Sequence, residues 1–134
     1  MEKSNDPDCI FCKIIKGDIP CHKVYEDDNF LAFLDITPKN KGHTLVIPKK
    51  HYRWVWDIHE DYSGPTNKVA TKLKKVFATD RVVSFVIGDE VAHAHIHLVP
   101  RFDNDGHGAL INESIKREIS SEEMQDIAKM ILDA

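Results

Sequence analysis

Three histidines at alternate positions, His93, His95 and His97, are the residues of this chain best suited to chemistry. Imidazole titrates near neutral pH, ligates metals and attacks electrophiles without needing a depressed pKa. In a strand, successive side chains point to opposite faces. The three imidazoles would then share one surface, while Ala94, Ile96 and Leu98 share the other, apolar one. Each ring brings two nitrogens that need partners, so three together make a poor core. A half-solvated polar face is the plainest account. A His-x-His pair could instead hold zinc with a position open for water. A central nucleophilic His oriented by its neighbours is the third reading. Spacing alone leaves the last two open.

A second cluster is Cys9-Ile10-Phe11-Cys12. The segment before it, Met1 to Asp8, is polar and acidic, unlike a cleavable export signal, so the cytoplasm is expected. In that setting the pair reads as reduced thiols, metal ligands or a redox pair. Cys21, without a partner, is expected to be plain core or surface. His22, His59 and His107 are expected to face solvent, with His107, between Gly106 and Gly108, near the mouth of a site. Lys49-Lys50 at a strand end is expected to be solvated. Trp54 and Trp56, flanking Val55 in an extended segment, are expected under the following helix or at a dimer contact.

The chain has 134 residues, 42% hydrophobic and 30% charged, which suffices for one domain with a core. A net charge of −4 argues against nucleic acid or a membrane surface as partner. No apolar run approaches a membrane span. No Gly-x-x-x-x-Gly-Lys-Ser/Thr loop is present, so a P-loop mechanism with Mg²⁺ is not indicated.

The elements that must position these residues follow from periodicity and turn signals. Residues 1–8 read as a flexible terminus and 9–134 as one α+β domain on an antiparallel sheet. A helical turn is predicted over 9–15, stopped by Gly17-Asp18-Ile19-Pro20. Strands over 21–26 and 30–34 are joined by Asp27-Asp28-Asn29, and a connection over 35–42 leads to a strand over 44–48. Helical spacing over 57–78 carries Val69, Leu73, Val76 and Phe77, with Gly64-Pro65 expected to break it in two. Strands over 81–87 and 92–100 flank the Gly88-Asp89-Glu90 turn, and 103–108 is loop. Ser120 opens a last helix, capped by Glu123, with Met124, Ile127, Ala128 and Ile131 on one face.

Gly42-His43-Thr44-Leu45-Val46-Ile47-Pro48-Lys49-Lys50-His51, taken with the triplet, resembles the histidine-triad (HIT) superfamily of nucleotide-binding hydrolases and transferases. Residues 9–20 look like its amino-terminal motif, and Val24-Tyr25-Glu26-Asp27-Asp28 and Leu31-Ala32-Phe33-Leu34-Asp35-Ile36 follow in order. The resemblance covers 9–101 and weakens in the helical middle and beyond. It implies a HIT-like domain, an antiparallel five-stranded sheet with helices on one side. It also implies attack by the middle histidine, His95 here, on the α-phosphorus, forming a nucleotidyl-histidine. His93 would orient that nucleophile through its backbone carbonyl, and His97 and His43 would contribute hydrogen bonds and charge around the phosphate.

Asp35 matches the family's ribose-binding acid, with Phe33 and Ile36 beside it and Asp89 as a further nucleotide contact; Asp35 fits a turn-forming Asp before Thr37-Pro38 equally well. The substrate implied is a purine nucleoside monophosphate or its conjugate, such as a phosphoramidate or dinucleoside polyphosphate. A nucleotide-binding module with little turnover and a zinc-dependent hydrolase using the triad as ligands are the alternatives. Relatives also imply a homodimer, which would protect uncovered sheet edges.

The chain departs from the family where a Gly-Gln-Ser/Thr element normally precedes the triad. Here Gly88-Asp89-Glu90-Val91-Ala92 stands instead, and Ser84-Phe85-Val86-Ile87 lacks the usual Asn. Carboxylates close to a polyphosphate would repel it by about 1–4 kcal/mol each, or would bind a cationic leaving group. In zinc-carrying relatives, a His after the Ile-Pro strand and the first triad His complete the Cys pair. The resemblance therefore implies a structural zinc on Cys9, Cys12, His51 and His93.

Overall fold

The sheet grows from short runs of β-branched and aromatic residues. A computed structural model describes residues 7–134, so most of the terminus read as flexible lies outside the described residues. Phe30–Leu34 (β2) and Thr44–Pro48 (β3) have the expected bounds, and Lys23–Glu26 (β1) precedes them. Val82–Phe85 (β4) and Ile96–Pro100 (β5) complete the sheet. Among the described residues the strands form one antiparallel sheet ordered β1-β2-β3-β5-β4.

Alternation along the strands gives the sheet two buried faces. Phe30, Ala32, Leu34, Val46, Ile96 and Leu98 point to one side, onto α2 (Ser63–Phe77) and α3 (Ser121–Asp133). Leu31, Phe33, Leu45 and Ile47 point to the other, onto the short α1 (Ile10–Lys16). The two long helices thus share one side of the sheet as expected, while α1 covers the opposite side. Leu73 of α2 and Ile131 of α3 are fully buried, each contributing about 1.5–3 kcal/mol of transfer free energy.

Three local expectations are corrected. Gly64-Pro65 does not split α2, because both residues lie in its first turn, where a proline removes only an N–H that has no partner within the helix. Trp54 and Trp56 do not pack beneath that helix. Val55–Asp57 forms a 3-10 turn that buries Val55 and leaves Trp56 81% exposed. Trp54 stacks under the Arg53 guanidinium, 3.7 Å from its ring centroid.

The strand predicted from residue 92 begins only at Ile96. Before it, the Ala94 N–H donates to the Tyr52 carbonyl (2.7 Å) and the His93 ring meets the Pro48 carbonyl (2.8 Å). Those bonds replace ladder pairing with β3. At the other end of the chain, the Ser120 hydroxyl accepts from the Glu123 N–H, while the Glu123 carboxylate pairs with Lys41 at 2.6 Å. The cap ties α3 to the turn preceding β3. Gly42 in that turn has φ +87°, and a Cβ there would overlap the Phe77 ring. That tight approach sets His43 at the head of β3.

Candidate functional site

Helix α1 brings its two cysteines together through its own start. Cys9 is the N-cap, and its sulfur accepts the Cys12 N–H at 3.2 Å. His51 follows β3 and His93 precedes β5, so both reach the same corner of the sheet. His93 donates from Nε2 to Pro48, which leaves the Nδ1 lone pair facing Cys9 Sγ (3.4 Å) and Cys12 Sγ (3.6 Å). Cys12 Sγ lies 3.3 Å from His51 Nδ1, and all four ligand atoms fall within 4.8 Å of one another.

Zinc bond lengths of roughly 2.0–2.3 Å in a tetrahedron place sulfur and nitrogen about 3.6 Å apart. The cluster is close to that spacing. Burial, followed by the neighbouring Cys12 thiol, pushes the Cys9 thiol up to about 11, so a cation is needed to hold a thiolate there. Burial also takes His93 down to about 4, leaving a neutral ring able to ligate. The residues fit a closed Cys₂His₂ zinc centre, with the Pro48 carbonyl as the outer partner that fixes the His93 tautomer.

The backbone of His93 has a second task. Its carbonyl accepts from His95 Nδ1 at 2.7 Å, which places the His95 lone pair on Nε2. Phe11 of α1 walls the His95 ring edge-on, with centroids 5.2 Å apart, and Phe33 braces Phe11 at 5.6 Å. Along β5, His97 lies 5.0 Å from His95 and stacks flat on Phe85 of β4 at 4.4 Å. Although the strand starts late, alternation persists: Ala94, Ile96 and Leu98 enter the helix-side core, opposite the three imidazoles.

His43 closes the group. Its Nε2 lies 2.9 Å from His97 Nδ1 and 3.6 Å from the Asp35 carboxylate, and its Nδ1 accepts the Lys39 N–H at 3.0 Å. Burial lowers His43 to about 4 and His97 to about 3, so both rings are neutral at pH 7. Asp35 also makes a turn, because its other oxygen accepts the Thr37 N–H (2.8 Å) and hydroxyl (3.0 Å). The turn-forming reading of that residue holds. Asp35, His43 and His97 bring their ligand atoms within 4.8 Å of one another.

Ile36, next to Asp35, is 78% exposed, whereas Phe33 is buried in the wall. Asp89 and Glu90 are exposed, and among the described residues no hydrogen bond or ion pair joins them to the triad. The preceding Gly88 is held elsewhere, its carbonyl accepting from Arg53 at 2.8 Å. Cys21 packs at the edge of the α1-side core.

His107 is a correction, since it is buried rather than solvent-facing, with Lys39 and Asn112 on its two nitrogens. Phe11, Phe85 and Lys39 were not singled out by sequence reasoning. Phe11 carried a signal, lying inside the Cys-x-x-Cys motif, while the other two are placed by contacts between distant segments. Beside Phe85, a cavity of about 330 Å³ opens between Val83 and Ile87 on one side and Ala109–Ile111 on the other.

The HIT domain family matches residues 16–104. An uncharacterized HIT-like protein of Methanocaldococcus jannaschii is 48% identical over 106 residues, spanning 73% of this chain and 82% of that protein. The adenosine 5'-monophosphoramidase hnt1 of Schizosaccharomyces pombe is 38% identical over 98 residues, spanning 69% of this chain and 74% of its own. A Zn-bound histidine triad family protein from Mycobacterium smegmatis superposes with a TM-score of 0.72 at 28% identity, covering 94% of this chain and 91% of that one.

Proposed function

The chain belongs to the HIT domain family, and from that membership we propose that it hydrolyses or transfers nucleotides through His95. The observation that carries the reading is the 2.7 Å bond from His95 Nδ1 to the His93 carbonyl, which aims an unprotonated Nε2. The substrate proposed is a purine nucleoside monophosphate conjugate, an adenosine phosphoramidate in the first instance. A relative named as an adenosine 5'-monophosphoramidase supports that class.

In the proposed reaction His95 Nε2 forms a bond to the α-phosphorus as the bond to the amine breaks, and the amine leaves with a proton from water. The hydroxide left by that water then attacks the nucleotidyl-histidine, breaking the P–N bond to His95, releasing AMP and restoring the imidazole. His97 and His43, neutral and hydrogen-bonded to one another, supply oriented polarity where charge develops on the phosphate oxygens. Asp35 accepts from the ribose, and Phe33 with Ile36 borders the base. Asp89 is exposed and would meet substrate only from the solvent side. A cationic amine is the leaving group it would favour.

Cys9, Cys12, His51 and His93 would hold a zinc ion, which would tie α1 to the sheet. Because the His93 ring faces the cysteines, it is turned away from any metal shared with His95 and His97. That orientation weighs against the triad acting as a metallohydrolase site. A homodimer is proposed as well, since β1 and β4 are sheet edges and Val86 and Ile87 beyond β4 are exposed. No helix among the described residues is long and apolar enough to cross a membrane.

Incubation with adenosine 5'-phosphoramidate, followed by chromatography for AMP, tests the proposal. AMP release is expected, with a nucleotidyl group trapped on His95 when the reaction is quenched. Nucleotide binding without AMP would leave the binding-module alternative in its place.

A further inference from the structure

His107 is buried, 3% exposed, and both of its ring nitrogens are committed. The Asn112 N–H donates to Nδ1 at 2.9 Å, so the neutral ring carries its proton on Nε2 and donates it to the Lys39 carbonyl at 2.9 Å. The backbone of His107 is placed by Asp105, whose carboxylate accepts the His107 main-chain N–H at 3.1 Å and is paired with buried Arg101 at 2.7 Å. Lys39 is held again by Arg117. Its Nε reaches the Lys39 carbonyl at 3.2 Å, and its backbone N–H donates at 2.7 Å to the Pro38 carbonyl, in the same peptide plane as the Lys39 N–H.

That Lys39 N–H determines where the protons sit in the site. A backbone N–H can only donate, so His43 Nδ1 must present its lone pair, and neutral His43 carries its proton on Nε2. Nε2 faces His97 Nδ1 at 2.9 Å. His97 must accept there and bear its own proton on Nε2. The opposite arrangement would set an N–H of His43 against the N–H of Lys39.

We propose that His107 is a positioning residue: by clamping Lys39 it holds His43 and His97 in their Nε2–H tautomers, so that His97 offers a donor to the substrate phosphate. What His97 does with that proton rests on the nucleotide-hydrolase reading. The tautomers themselves do not. None of the three imidazoles needs to titrate, and the chain of bonds runs from the loop after β5, through the loop before β3, back to β5.

The experiment is ¹H–¹⁵N long-range correlation of the imidazole rings of the uniformly labelled full chain at pH 7, combined with steady-state kinetics on adenosine 5'-phosphoramidate. In the wild type, His43 and His97 should both read as Nε2–H. His107→Phe, which keeps bulk and removes the donor, should mix the His97 tautomers and lower kcat by about ten- to a hundredfold, with KM changed far less. His107→Gln, whose amide can give to Lys39 and accept from Asn112, should keep the wild-type ring pattern and most of kcat.

An Nδ1–H proton on His97 in the wild type overturns the proposal, even if the Phe variant does not fold. So does a folded His107→Phe protein with unchanged tautomers and kcat. If the wild type shows these tautomers but releases no AMP, the hydrolase reading fails and the clamp stands.

Discussion

His95 Nδ1 lies 2.7 Å from the backbone carbonyl of His93, whose own ring lies 3.4 Å from Cys9 Sγ. One residue therefore closes the proposed metal cluster with its side chain and aims the proposed nucleophile with its main chain. The two sites share a single peptide segment, and loosening one must disturb the other.

Replacing His95 by Ala or Asn should lower turnover of adenosine 5'-phosphoramidate by at least about 10³-fold while the Kd for AMP changes only a few-fold. Calorimetry for binding and AMP release for turnover separate the two effects. Full turnover by either variant would rule out the covalent mechanism.

Purified protein should carry one zinc per chain by elemental analysis, and a Cys9→Ser/Cys12→Ser double variant should carry none. Cysteine and histidine bind zinc only when deprotonated, so acid should release the metal and expose α1 to hydrogen exchange. The double variant should also lose activity, because the His93 carbonyl is no longer held. A metal retained by the double variant but lost on replacing His95 and His97 would put it at the triad instead.

Folding stability should fall as the solution becomes acidic. His43 and His97 sit at about 4 and about 3 in the folded chain because burial disfavours their charged forms, against about 6.5 when unfolded. Below about 6.5 the unfolded chain therefore binds more protons, and the stabilisation present at higher pH is lost as pH falls towards 4. Urea midpoints at pH 7.5 and pH 5 should show the drop, and His43→Gln should show a smaller one. Equal slopes in the two proteins would contradict it.

Arg101 and Asp105 form an ion pair with both side chains nearly inaccessible, and the guanidinium holds the Asp105 carboxyl well below the usual carboxylate range. Breaking it with Arg101→Met should cost about 3–5 kcal/mol, since one buried charge is left unpaired. Urea denaturation reads that cost directly. Activity should fall too, because Asp105 seats His107 and so the clamp on Lys39.

Sedimentation equilibrium at micromolar concentration should give twice the mass of one chain. Lys or Glu placed at Val86 or Ile87, beside the β4 edge, should shift the protein towards monomer. A monomeric wild type would remove the dimer from the proposal.

What the sequence determined by itself was whatever local periodicity encodes. Period-two alternation put His93, His95 and His97 on one face and Ala94, Ile96 and Leu98 in the core, and this held even where strand pairing had ceased. The same logic delimited β2 and β3, and helical spacing gave the buried face of α3. Tertiary structure alone decided which partner each polar atom found. His93 reaches Cys9 across 84 residues and His107 reaches Lys39 across 68, so no local pattern marks either contact. Histidine next to glycines reads as exposed because glycine marks loops, yet in this largely exposed loop the His107 ring turns inward, onto Lys39 and Asn112. Side-chain alternation is a property of one segment of backbone, whereas the tautomer and aim of an imidazole belong to the groups that other segments bring against it.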